Sequence, residues 1–543
     1  MARSPLMRAL RRIASNHETQ SSRGQFLRKA ALAATGAALL PEFVACGGSQ
    51  ARGRERIVIV GAGIAGLVTA MRLRDAGIDA AVYESSDRIG GRMHSERVYW
   101  DEGQHTEWCG AMVDSLHVNM RGLARRFGLR LLDTYAARPP HARDTCYLDG
   151  RYYSMVDADR DFRPVYAIMQ RQLAEIDPQT TYANATPEAR RLDAMSMRDW
   201  IERYVPGALN SQLGRLIKEA YRNEYGREIE ELSSINLVVQ LGEQRWYRNG
   251  RDLNVLGYSD QRYIFANGSQ SLPEAIARSL PQGTIRFNRR LAGIRRLGNG
   301  SYELRFGNDG NQEIVNADRV VLAIPFIVLR DLDFSNAGFD AAKVNAIDNL
   351  GYGYHTKLHL QFDRRAWMRA GHPWPEPTTG QIWTTLPVQS ALDFSLGQSG
   401  NDGLIEVFTA AGAAMLDTPP MPYARLSDSP AVRRHVTKFF QQLDHIWPGV
   451  SPTWNGKATM GNAQADPNIL ASYSCWLVGQ CTTIAGHEAT QQGRVHFAGE
   501  HTSVANQGFM EGGAESGFRA ANEILADYKL RARLKGGVTR RSG

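Results

Sequence analysis

The sequence predicts an α/β fold: a Rossmann-type nucleotide-binding domain, discontinuous along the chain, with an inserted α+β domain. Three observations carry this expectation. A β-branched run, Ile57-Val58-Ile59-Val60, leads directly into Gly61-Ala62-Gly63-Ile64-Ala65-Gly66, the strand-turn-helix order of a dinucleotide fold. A second glycine-rich block, Gly508-Phe509-Met510-Glu511-Gly512-Gly513, stands near the other end of the chain. The 543 residues, 43% hydrophobic and 22% charged, exceed one ordinary core and exclude a disordered chain. Five cysteines exclude a disulfide-built scaffold.

Taken in order, residues 1–54 read as a targeting segment and linker. Residues 30–40 are small and apolar, preceded by Arg23, Arg28 and Lys29 and followed by Pro41. That run is shorter than the roughly 20 residues a bilayer-spanning helix needs, and the pattern describes an export signal. The stretch Ser22 to Arg28 resembles a twin-arginine motif, with Gly24 where the second arginine would stand. Val44-Ala45-Cys46-Gly47 resembles a lipoprotein cleavage box, with Phe43 in place of the usual leucine. The expectation is a periplasmic or exported protein, lipid-anchored if Cys46 is acylated, and cytoplasmic if the signal is not used. The net charge of +8 is confined to the ends. Residues 1–56 carry +7 and residues 528–543, a basic tail, carry +6, which leaves −5 on the body. No nucleic-acid groove is implied by that distribution.

The first fold element is the buried parallel strand at Ile57. In the turn that follows, Gly61 permits the bend, Gly63 lets a pyrophosphate approach the backbone, and Gly66 lets the helix pack on the strand. Ile64 and Ala65 open that helix, whose unpaired N–H groups favour phosphate. A second strand, Ala80 to Tyr83, ends in Glu84, an acceptor for ribose hydroxyls, with Ser85 beside it. The extension through Ile89-Gly90-Gly91-Arg92 has no use in a nicotinamide enzyme. It favours FAD, with Arg92 supplying charge to the pyrophosphate.

These blocks resemble the flavin monoamine oxidase family, which includes monoamine, polyamine and L-amino-acid oxidases. Glu107-Trp108-Cys109-Gly110-Ala111-Met112-Val113-Asp114 is similar to the family loop that passes the flavin ring. Asn316 to Pro325 is similar to its later nucleotide-domain strand. Val495 to Thr502 with Gly508 to Gly517 is similar to its closing motif. The resemblance spans about residues 55–527. It implies FAD contacts at Gly61, Gly63, Ile64, Ala65, Gly66, Glu84, Ser85, Arg92, Gly110, Ala111, Met112, Val113, Leu291, Glu500, Gly508, Phe509 and Met510. It places the FAD domain in 55–125, 263–340 and 455–527, and the substrate domain in 126–262 and 341–454, the first of these a helical lid.

For catalysis, the resemblance points to Lys357, Trp476 and Phe509. His355 to Phe362 alternates, setting Leu358, Leu360 and Phe362 on one face and Lys357, His359 and Gln361 on the other. Lys357, with an aromatic such as Trp367 downstream, matches the lysine that assists reoxidation by O2. Trp476 and Phe509 match the two walls of an aromatic cage that aligns an amine. Cys475 matches the site of covalent FAD attachment in the mitochondrial enzymes, while many relatives bind FAD without a bond; Cys475 and Cys481 could also pair. No His, Cys or carboxylate cluster has metal-binding spacing.

The implied activity is FAD-dependent oxidation of a primary or secondary amine to an imine by hydride transfer to flavin N5, with O2 reduced to H2O2. An L-amino-acid oxidase would need a carboxylate clamp, for which Arg222, Arg227 and Arg245 are candidates. Val113 stands where the amino-acid oxidases place an arginine, which tilts the reading toward amines. Glu224, Glu228, Glu230 and Glu231 are candidate acids for a polyamine tunnel. A desaturase or porphyrinogen-type oxidase on the same fold, and a flavoprotein without turnover, are the rival classes.

Overall fold

Five strands form an all-parallel sheet in the spatial order Val495–Phe497, Arg319–Leu322, Ile57–Val60, Ala81–Tyr83, Ile285–Arg286. The central strand is buried at all four positions, as a continuous β-branched run with both faces covered should be. The computed structural model describes residues 55–538 except 245–246, 248–251, 308–311, 369–376 and 416–417. The segment 1–54 in which export and lipidation signals are expected, with Cys46, and the candidate clamp Arg245 lie outside the described residues.

The helix Ile64–Asp75 follows the first strand, and the last helix, Met510–Val538, packs across it. Small residues make that crossing close. A Cβ on Gly513 would stand 2.7 Å from Ile64 Cγ2, and one on Gly517 would run into the Ala65 carbonyl. The last helix continues to Val538, through most of the basic C-terminal span.

Leu291–Arg296, Tyr302–Phe306 and Glu313–Ala317 make a small antiparallel sheet beside the parallel one. Beyond it lies a mixed eight-stranded sheet, ordered Tyr423–Arg425, Trp454–Asn462, His355–Phe362, Gly403–Ala410, Ser390–Asp393, Thr378–Thr384, Arg143–Leu148, Arg151–Tyr153. Here the expectation of a helical lid over 126–262 is incomplete. Helices Met155–Glu175, Met197–Tyr204, Gln212–Tyr225 and Ser234–Gly242 are present. The same segment also gives two strands to the large sheet, Arg143–Leu148 pairing in parallel with Thr378–Thr384. A parallel pair needs no local turn, so no turn signal marks it in the sequence.

Polar caps fix the helix starts. Ser196 and Asp199 form a reciprocal capping box, and Ser154 and Ser211 cap the helices that follow them. One apolar core runs from Val58, Val60 and Tyr83 of the parallel sheet to Trp200, Tyr221 and Val238 of the helices. The apolar face of the large sheet, with Leu358, Leu360 and Phe362, packs on Phe439 and Leu443 of helix Pro430–Ile446 and on Trp447, which caps it.

Candidate active site

The glycine turn shows three different constraints. Gly61 has φ of +101°, and a Cβ there would meet the Ala323 carbonyl oxygen at 2.7 Å. A Cβ on Gly66 would strike the Gly61 carbonyl. At Gly63 a Cβ would meet nothing within 4 Å, so this residue faces open space. Gly63 also leaves the following helix without a side-chain cap, so first-turn N–H groups at Ile64 and Ala65 remain for a ligand. Glu84 reaches back over this turn: its Oε2 accepts from the Ala62 N–H at 2.7 Å and its Oε1 from the Ser86 N–H at 2.9 Å. Ser85 donates to the same oxygen. Leu291 opens the small sheet just beyond Arg289, whose N–H donates to the Glu84 carbonyl. An open glycine, an uncapped helix and a fixed acid at the end of the second strand fit a dinucleotide.

The other end of the candidate site is assembled by Glu500. This carboxylate is buried and accepts from Arg92 Nη1 at 2.8 Å, Ser474 Oγ at 2.7 Å and the Gly508 N–H at 2.8 Å. Burial alone would raise Glu500, but the Arg92 guanidinium and its hydrogen-bond donors hold it below the usual carboxylate range. Arg92 therefore ties the early glycine loop to the closing motif, and it also donates to the Ser472 carbonyl. The Gly110 N–H donates to the Arg92 carbonyl, and a Cβ on Gly110 would press on Met510 Cγ at 3.1 Å. Ala111 is buried, Met112 half-buried, and Val113 pairs through both backbone groups with Tyr263. The Gln507 side-chain nitrogen is shielded from solvent and has no hydrogen-bond partner, an opening for a polar ligand beside Gly508.

Lys357 lies on a strand buried at all eight positions. Its polar face is not solvated, because the 100–108 segment covers it: the Asp101 N–H donates to Gln361 and Trp100 meets the His359 ring edge-on. Lys357 pairs in register with Gly461, where a Cβ would meet the Trp108 carbonyl at 2.8 Å. The lysine thus sits beside the Trp108–Gly110 loop, which itself touches Met510. Its Nζ is 3.1 Å from Glu406, across the next strand. Trp367 does not accompany it. It packs on the opposite face against Phe362 and Trp447 and donates to Asp393 at 2.9 Å. The alternation that points Lys357 one way sends the chain after Phe362 into the other core.

The two expected cage aromatics belong to segments that Glu500 joins. Trp476 follows the strand Tyr473–Cys475, is 8% exposed, and its carbonyl accepts from Asn236 Nδ2 at 2.8 Å. Phe509 follows Gly508, where a Cβ would stand 3.2 Å from the Tyr473 ring. The Phe509 ring meets His117 edge-on, with centroids 5.1 Å apart. His117 is 3.4 Å from Asp114. Tyr473 donates to the Glu224 carbonyl, and the Glu224 side chain accepts from Gln240 at 2.9 Å. Burial pushes both Glu224 and Asp114 up to about 7, the former helped by Asp114 and the latter by Asp260. Burial pulls His117 down to about 4. Glu406, Asp114, His117 and Gln240 escaped the sequence reading. Only Asp114 sat inside a quoted motif; the others reach the site through strand register and helix packing.

Glu228, Glu230 and Glu231 pair with arginines rather than reaching this cluster. Arg222 is bound to Glu219, and Arg227 to the Tyr352 carbonyl and Glu231. Cys475 and Cys481 form no disulfide with each other: burial pushes the Cys475 thiol up to about 12, and Cys481 Sγ donates to Ser233 Oγ. Among the described residues, no group of three His, Cys, Asp or Glu side chains is placed to hold a metal ion.

Comparison with known proteins agrees with this geometry. The family model for flavin containing amine oxidoreductases matches residues 64–525. Polyamine oxidase 4 of Oryza sativa subsp. japonica is 25% identical over 498 residues, covering 90% of this chain and 91% of the relative. A putative L-amino-acid oxidase of Bacillus subtilis (strain 168) is 23% identical over 490 residues, covering 87% and 94%. The solved structure of cyclohexylamine oxidase from Brevibacterium oxydans superposes with a TM-score of 0.71 at 17% identity, covering 88% of this chain and all of that one. Built on this fold and matched along most of its length, the chain belongs to the flavin containing amine oxidoreductases and is an FAD-dependent amine oxidase.

Proposed function

We propose that the substrate is a primary or secondary amine without an α-carboxylate. One observation carries this. The polar groups gathered at the Phe509 end are two acids, Asp114 and Glu224, with Gln240 and the neutral His117, while Arg222 and Arg227 are spent on other partners. A carboxylate brought there would meet repulsion and no bidentate clamp. Val113, buried and paired with Tyr263, adds no charge.

In this reading the FAD contacts are the turn Gly61 to Gly66, Glu84, Ser85, Arg92, Gly110 to Val113, Leu291, Glu500 and Gly508 to Met510. They would hold FAD, whose chemistry would supply acceptance of a hydride equivalent from the amine α-carbon and two-electron reduction of O2 to H2O2. Trp476 and Phe509 flank the amine and orient its C–H bond. The buried surroundings exclude water and favour the neutral amine, whose lone pair the oxidation requires. Lys357 presents an ammonium on the side where O2 gathers charge. Cys475, deep in the core with its thiol held protonated, is read as unbonded, so FAD is held without a covalent link.

An anaerobic panel of monoamines, polyamines and L-amino acids tests this by loss of the flavin's visible absorbance. Bleaching by amines and not by amino acids is the expected result; faster bleaching by an amino acid would overturn it. Export through residues 1–54, with acylation at Cys46, completes the proposal. Cell fractionation that finds only the full-length chain in the cytosol would refute that part.

A further inference from the structure

We infer that Glu406 sets the charge that Lys357 presents to the flavin, acting through the lysine as its built-in counter-ion. This rests on the reading of Lys357 above. The two residues come from neighbouring strands, His355–Phe362 and Gly403–Ala410, in which Glu406 is the register partner of His359. Lys357 Nζ donates to Glu406 at 3.1 Å, and His359 Nε2 stands 3.0 Å from the same carboxylate. Thr459 Oγ lies 3.1 Å from His359 Nδ1, so the histidine donates from Nε2 to Glu406 and accepts from the threonine at Nδ1. All three side chains are buried.

The protonation states follow from the environment. Burial alone would raise Glu406, but Lys357 and His359 hold it below the usual carboxylate range, so it is an anion. Burial lowers His359 in spite of Glu406, so it is neutral. Lysine, carboxylate and imidazole together carry no net charge. A lysine that assists O2 reduction gains its effect from an exposed positive field in a dry site; here that field is largely cancelled by a carboxylate in hydrogen-bond contact. Glu107, buried nearby and bound by Ser95 and Ser269, adds no positive charge.

The test uses the FAD-loaded enzyme and sulfite, an anion that adds reversibly to oxidised flavins and reports local positive charge. Four proteins form a cycle: wild type, Glu406→Gln, Lys357→Met and the double variant. Glu406→Gln unmasks the lysine, and its sulfite Kd is expected to fall about tenfold, with a raised flavin midpoint potential. Lys357→Met leaves the Glu406 carboxylate with only the neutral His359 as its partner, and its Kd is expected to rise about tenfold. The double variant removes both charges, avoids an isolated buried ion, and is expected within about threefold of wild type. Oxygen reactivity measured by stopped flow should follow the same order. A double variant that behaves like Lys357→Met would show Glu406 to be silent and would overturn the inference. Four proteins with the same sulfite Kd would instead overturn the placement of Lys357 beside the flavin.

Discussion

Replacing Gly63 and Gly66 separately by alanine separates cofactor contact from packing. At Gly63 the new methyl meets nothing within 4 Å. The residue has φ of −70° and ψ of 175°, which alanine adopts freely. The apoprotein should therefore keep its stability. The methyl would occupy the open side of the turn, where the pyrophosphate approaches. Displacing one charge-assisted N–H hydrogen bond costs about 1.5–3 kcal/mol, or about 10- to 150-fold in Kd. At Gly66 the methyl would strike the Gly61 carbonyl, and forcing strand and helix apart costs about 1–3 kcal/mol of folding stability. The assay is FAD binding by fluorescence quenching, beside thermal unfolding of each apoprotein with and without FAD. The Gly63 variant should show a normal apo midpoint and a weakened FAD-induced rise, and the Gly66 variant a lowered apo midpoint. If the Gly63 variant binds FAD as tightly as wild type, the cofactor does not cross this turn and the reasoning fails.

Lys357→Met should slow flavin reoxidation by about tenfold or more while leaving the anaerobic reductive phase within about twofold; equal slowing of both phases would contradict the role given to the lysine. Glu224, about 7 through burial and facing Gln240, Asp114, Tyr221 and Tyr473, becomes an anion as pH rises through that value. Tetramethylammonium inhibition should therefore strengthen by up to about tenfold from pH 6 to 8, and Glu224→Gln should flatten the dependence. Thermal stability should fall steeply below about pH 4.5. His94, His105, His117, His355 and His501 are lowered to about 3 or 4 by burial, so the unfolded chain binds their protons first and stability is lost as pH falls below about 6.5. Glu107, Asp114, Glu224 and Glu488, raised to about 7 by burial, oppose this only while their unfolded forms remain ionised. Each uncompensated proton then costs about 1.4 kcal/mol per pH unit, and a midpoint flat down to pH 3.5 would refute the assignment. Acid precipitation should release all the flavin into the supernatant; yellow colour retained in the pellet would contradict non-covalent binding at Cys475.

The parts of the fold visible in the sequence are those whose signals are local. Gly61, Gly63 and Gly66 each face a different steric demand within six residues, so their spacing reads directly as a turn. The β-branched run at Ile57 reads as a buried strand for the same reason, whereas Asn316 to Pro325 is marked only by resemblance. Lys357 was placed on the correct strand by alternation, but alternation could not show that its polar face is covered by the 100–108 segment. Nor could it show that Trp367 turns to the other side. Glu406 is invisible to any scan along the chain, because only antiparallel register brings it to His359 and Lys357. Asp114 and Glu224 gain their character from burial, which depends on three segments closing together. The strand Arg143–Leu148 was missed because its partner lies far away in sequence and runs parallel.

The parallel sheet has a bearing on how this protein is made. Its central strand is synthesised early, yet one neighbour comes from residue 319 onward and the next from residue 495. The helix that locks against Ile64 and Ala65 comes later still. A ribosome must therefore release the chain through the Met510 helix before the nucleotide crevice can close. Until then the nascent chain carries an apolar strand with an open edge, a natural client for holding chaperones. Termination just before Met510 would leave it in that state permanently and should abolish holoenzyme.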